Sequence, residues 1–158
     1  MKTSPTPETI VITDTSCLIA LTKTGVLDIL PQMYRRIIIT SDIVEEFGET
    51  LPQWIEVMAV PDPKYQHMLE KSLDTGEASA IALAVALEDV LLVLDDLKAR
   101  KEAKRLGLKV TGTLGVLFRA KEKGFIPALK PHIEKLQASD FRISPDVVKE
   151  LLTLSKEV

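Results

Sequence analysis

The chain is poor in the residues that most nucleophilic and redox chemistry uses. Cys17 is its one cysteine, so it has no internal disulfide and no CxxC pair. A lone thiol fits a reducing cytoplasm, which is the expected location, and a small buried apolar role suits it better than catalysis. The two histidines, His67 and His132, are far apart and lack metal-ligand spacing, so both read as surface or locally hydrogen-bonded residues. Neither a Ser–His–Asp arrangement nor a phosphate-cradling glycine loop is present. Aromatics make up 4% of the residues, which argues against a base-stacking platform. No apolar run reaches membrane-spanning length, and the opening MKTSPTPET is too polar and Pro-rich for a secretory signal. A net charge of −3 gives no overall drive towards nucleic acid, so any such binding needs a local basic patch.

What is present describes an ordinary globular domain. The 158 residues are 46% apolar and 27% charged, enough for one full core. No linker, repeat or low-complexity tract divides the chain, so residues 1–158 read as a single domain, with residues 1–8 as a loose tail. Short runs that are apolar throughout fall at 10–12, 37–39 and 90–94, with a fourth strand-like run, broken by Lys109, at 108–110, and helical patterns separate them. That alternation predicts a three-layer α/β/α fold, with a parallel sheet of four to five strands covered on both faces. Smaller features are also predicted. Residues 54–60 read as an edge strand and 141–143 as a further short strand. A short helix around Leu27 and Leu30 is expected to end at Pro31. Ser41 or Asp42 should cap the helix that carries Glu46. Ser144, with Pro145 behind it, should start the last helix.

The acids fall at strand ends. In open parallel sheets ligands bind beyond the carboxyl ends of the strands. Asp14 ends the first run, and Asp95 with Asp96 ends the third, in LLVLDDLKAR. Glu46 lies on the helix after the second strand, and Glu77 in the first turn of the Ala-rich helix after Gly76. Singly, each has an ordinary explanation as a helix cap, a dipole partner or a solvated helix face. Together, carboxylates converging on one edge would raise each other's pKa unless a cation neutralised them. Oxygen ligands without His or Cys suit Mg²⁺ or Mn²⁺, which can acidify water and stabilise charge on a phosphodiester. The doubled aspartate fits this reading, with one carboxylate for metal and the other assisting it or orienting the helix start.

Five stretches, in order, carry a resemblance: VITDTSCLIAL (11–21), IIITSDIVEEF (37–47), GEASAIALA (76–84), LLVLDDLKAR (91–100) and VTGTLGVL (110–117). With them the chain resembles the PIN-domain family, above all its small stand-alone prokaryotic members. The resemblance implies a metal-dependent endoribonuclease acting on RNA with Mg²⁺ or Mn²⁺. It makes Asp14, Glu46, Glu77 and either Asp95 or Asp96 the catalytic, metal-binding acids, with Ser16 and Thr113 as supporting polar positions. It also implies a toxin of a toxin–antitoxin pair, a small antitoxin as partner, and a homodimer.

Lys98, Arg100 and Lys101 follow the doubled aspartate directly and form the candidate RNA-backbone patch; the alternative is a solvated helix face. Two other readings stay open. One is a PIN-like RNA- or protein-binding module without turnover. The other is a phosphoacceptor receiver domain, whose paired acids belong at the first strand rather than the third.

Overall fold

Each short apolar run becomes a strand of one parallel sheet. The computed structural model describes residues 9–157, and the tail expected at 1–8 lies outside them. The strands are β1 (Ile10–Thr13), β2 (Arg36–Thr40), β3 (Ile55–Met58), β4 (Leu91–Val93) and β5 (Lys109–Thr111). Their order across the sheet is β3-β2-β1-β4-β5, every pairing parallel. The helices are α1 (Thr15–Lys23), α2 (Ile29–Met33), α3 (Ser41–Phe47), α4 (Pro63–Leu69), α5 (Thr75–Leu87), α6 (Leu97–Arg105), α7 (Thr113–Glu122), α8 (Lys130–Gln137) and α9 (Pro145–Leu154). This is the predicted three-layer α/β/α architecture, with five strands.

Burial explains why β1, β2 and β4 are apolar on both faces. Ile12, Ile38, Ile39 and Leu92 are completely buried at the centre of the sheet. Each such side chain contributes roughly 1.5–3 kcal/mol relative to exposure. Helix α5 is buried along Gly76, Ala78, Ser79, Ala80, Ile81, Ala82, Leu83 and Ala84, and its small residues let its axis approach the sheet closely.

Three local expectations are corrected. Pro31 lies inside α2 rather than ending it, because it falls in the first turn, where a missing N–H breaks no helical hydrogen bond. Thr40, not Ser41 or Asp42, caps α3: its Oγ1 accepts from the Ile43 N–H at 3.2 Å. Residues 141–143 form no strand. The outer positions of the sheet belong to β3 and β5, and Phe141 and Ile143 pack their side chains against the core instead. The edge strand expected within 54–60 is β3. Helix α9 begins as expected, with Ser144 Oγ accepting from Val147 N–H and Pro145 in first place.

No side chain of α9 is fully buried. Its far end is fastened by Glu157, whose carboxylate accepts from Leu129 N–H at 2.7 Å and Lys130 N–H at 2.8 Å at the start of α8. Lys121 Nζ lies 3.3 Å from the same carboxylate and donates to the Ser155 carbonyl. Burial works to raise the Glu157 pKa, but these donors hold it down at about 2.

Candidate active site

From β1 the chain proceeds to β2 and β3 on one side, and β4 and β5 lie on the other. The crevice between β1 and β4 is therefore a topological switch point, where parallel sheets bind ligands. Asp14 follows β1, and Asp95 comes two residues after β4. The Asp14 N–H donates to the Val93 carbonyl at 3.1 Å, so the paired strands deliver the two aspartates side by side. Asp14 is 3% exposed. Its Oδ1 accepts from Cys17 N–H at 2.9 Å, capping α1, and its Oδ2 accepts from Asp95 N–H at 3.3 Å. It is thus a helix cap, yet each oxygen keeps a second lone pair for another partner. Burial first, and then the neighbouring Asp95, push its pKa up to about 7. Cys17 beneath it is fully buried, and burial raises its thiol pKa, so it is no nucleophile.

The two adjacent aspartates do different work. Asp95 is half-buried and held by Thr113, whose N–H donates to Oδ1 at 2.8 Å and whose hydroxyl donates to Oδ2 at 2.6 Å. Asp96 is exposed and caps α6, accepting from Ala99 N–H at 2.9 Å.

Glu77 stands in the first turn of α5, which Asp74 caps by accepting from the Glu77 N–H at 2.9 Å. Among the described residues its own carboxylate has no hydrogen-bond partner. Burial, followed by the charges of Asp74 and Asp96, pushes its pKa up to about 7. The ordinary value is 4.5, so ionised Glu77 opposes folding, increasingly from about pH 4.5 to 7 and fully above that. Glu77→Gln is therefore expected to stabilise the metal-free protein at pH 8 and to change little at pH 4. Glu77 is partly exposed, and solvent screening leaves a gain on the order of 1 kcal/mol. Denaturant midpoints in EDTA at the two pH values check this; equal effects at both would contradict it.

Glu46 ties three helices together. Its Oε1 accepts from the Thr15 hydroxyl at 2.6 Å and its Oε2 from Gly76 N–H at 3.2 Å. A Cβ on Gly76 would lie 2.1 Å from Glu46 Oε1, so glycine leaves the room this carboxylate occupies. Behind it, Thr40 Oγ1 and Ser79 Oγ share a buried hydrogen bond of 2.6 Å that fixes the start of α3 against α5. The functional reading of the sequence missed Thr15, Thr40, Asp74 and Ser79. Gly76 offered a usable signal, because glycine in a helix costs about 1 kcal/mol against alanine and calls for a reason. Ser16 is exposed, and Thr15 beside it makes the bond to Glu46. Lys98 and Lys101 are exposed on α6, while Arg100 is half-buried.

The structure therefore joins Asp14 to Asp95, sets Glu77 where its charge raises the Asp14 pKa, and leaves the exposed Glu46 and Asp96 outside that pair. Among the described residues no three acidic, histidine or cysteine groups close on one point as a ready ligand sphere. The donor chemistry nevertheless fits a hard divalent cation. The set is all carboxylate oxygen, and two members carry pKa values that a cation would bring back down.

A family model described as a PIN domain matches residues 10–157. The chain belongs to the PIN-domain family. No curated protein matches it at a significant level. PIN domains are generally nucleases that use divalent metals, and they often bind nucleic acids. Among the described residues of this PIN domain no helix is long and apolar enough to cross a membrane.

Proposed function

We propose that this PIN domain is an endoribonuclease dependent on Mg²⁺ or Mn²⁺. Asp14, Glu77 and Asp95 form its centre, and Glu46 and Asp96 lie at its margin. The observation that carries this is the burial of Asp14 against Asp95 at the switch point of the sheet, with Asp14 raised to about 7. A divalent cation bound there would supply positive charge to the phosphodiester and acidify water. The chain's own residues set the geometry. Thr113 holds Asp95 by both oxygens, and Asp14 is fixed by two backbone donors. Of these acids Glu77 alone has a carboxylate with no hydrogen-bond partner among the described residues, which suits it to accept a proton from water or to complete the metal shell. Lys98 and Lys101 would hold the RNA backbone beyond the centre. A toxin role would add a small antitoxin placed over the acids, and a homodimer fits the family.

The test is one titration of Mn²⁺ or Mg²⁺ into the protein, with cleavage of labelled RNA and the melting temperature both recorded. Cleavage should require the metal and stop with EDTA. At metal concentrations about 100 times Kd the melting temperature should rise by about 5–10 °C, more at pH 8 than at pH 5.5, where protons compete for Asp14 and Glu77. Absence of metal binding would sink the reading. One observation favours the binding-module alternative: Asp14, Glu46, Asp95 and Asp96 all have hydrogen-bond partners within the protein. Metal and RNA binding without cleavage would establish that alternative.

A further inference from the structure

The surroundings of Gly112 set one cation of α6 apart from the others. A Cβ at Gly112 would meet Arg100 Nη1 at 3.0 Å and Asp95 Oδ1 at 3.0 Å. The guanidinium and the carboxylate thus flank one bare Cα, within about 6 Å of each other, the range in which opposite charges act strongly. They form no ion pair with each other; Thr113 engages each Asp95 oxygen once, which leaves a second lone pair on each. Four cations pair with acids: Arg36 with Glu56, Arg105 with Glu102, Lys109 with Asp89 and Lys121 with Glu157. Among the described residues Arg100 has no such pair, like Lys98, Lys101 and Lys104 of the same helix, and it differs from them in being half-buried beside Asp95. Its position on α6 accounts for the half-burial. Ala99 and Ala103 bury the inner face of the helix, Lys98, Lys101 and Lys104 are exposed, and Arg100 lies between the two, half-buried.

We infer that Arg100 binds the scissile phosphate itself, as distinct from the RNA backbone at large; this rests on the nuclease reading above. A phosphodiester entering beside Asp14, Asp95 and Glu77 meets like charge. A half-buried guanidinium next to Asp95 offsets that repulsion, and its planar fork matches two phosphate oxygens as an ammonium group does not. Gly112 keeps the space between the guanidinium and Asp95 clear of a side chain. Lys98 and Lys101, being exposed, serve the flanking phosphates.

The probe is a dinucleoside monophosphate, whose single phosphate reaches the centre without spanning α6. Its binding to wild type, Arg100→Gln and Lys104→Gln is measured by NMR titration in Ca²⁺, beside binding of a longer RNA. Arg100→Gln should weaken the dinucleotide by at least about tenfold, the scale of a charge-assisted bidentate contact. Lys104→Gln should leave the dinucleotide unaffected, and Arg100→Gln should weaken the longer RNA as well. In cleavage, Arg100→Gln should lower kcat more than it raises KM, and Arg100→Lys should restore only part of kcat. Unchanged melting of Arg100→Gln would separate this role from a structural one. If the dinucleotide binds Arg100→Gln as it binds wild type, or does not bind wild type, the inference is overturned. If no RNA is cleaved at all, the nuclease reading fails, while the dinucleotide comparison still judges Arg100.

Discussion

Asp14→Asn should lose metal-dependent RNA cleavage by at least about 10²-fold, the lower range for a positioned acid–base group. The same change should leave the metal-free fold at pH 8 as stable as wild type, or more so. The sign follows from linkage. The folded pKa of Asp14 is about 7 against an ordinary 3.8, so its ionised form opposes folding as pH rises above about 4, and fully above pH 7. A carboxyl raised that far opposes folding, once ionised, by about 4 kcal/mol at most. Against that, asparagine can accept from Cys17 N–H but turns an amide towards Asp95 N–H, which costs about 1–3 kcal/mol. The relief therefore dominates at pH 8 and fades towards pH 4, where the lost bond remains. Denaturation curves at both pH values, run in EDTA beside the cleavage assay, check this. A variant that is inactive and also strongly destabilised at pH 8 would show Asp14 to be a structural cap and little else.

Gly76→Ala should reduce cleavage by about 10- to 100-fold, as for loss of a group that orients metal ligands, while changing stability by less than about 1 kcal/mol. The added Cβ would stand 2.1 Å from Glu46 Oε1 and 2.7 Å from its Cδ, so the carboxylate has to leave. It can leave cheaply, because Glu46 is exposed and swings into water. The hydrogen bonds to Thr15 and Gly76 are lost, and the better helix propensity of alanine offsets much of that cost. Glu46→Gln should give a similar loss, and the double variant should be little worse than either single one, since both remove the same carboxylate. Additive losses would place Glu46 and Gly76 in separate roles.

The layering of the fold was legible because burial on both faces leaves a period-free apolar run, and β1, β2 and β4 have one. β3 is only partly buried at the sheet edge, so it showed only as an edge segment. The meeting of Asp14 and Asp95 was legible for a related reason: a strand that ends in a charge ends at a surface, and parallel topology brings those surfaces to one side. The division of labour between Asp95 and Asp96 was not legible. Which carboxylate turns to Thr113 and which caps α6 depends on backbone torsions at two consecutive residues and on a partner 18 positions away. The bracket formed by Thr15, Glu46 and Gly76 joins residues 30 or more apart, which no local pattern records. Arg100 read as one cation among several because its distinction is burial, and a rotation of one residue along α6 separates it from Lys101.

The polar fastening of α9 has a further consequence, in the free energies of partial opening. Backbone amides in β1, β2 and β4 are shielded by a core that breaks only when the whole domain unfolds, so they should exchange with deuterium last. Helix α9 packs only partly buried side chains on the core, so its amides should exchange earlier, in an opening that breaks the bonds of Glu157 to the start of α8. The molecule should thus open in two tiers, and Asp14 and Asp95, which follow β1 and β4, border the slower one.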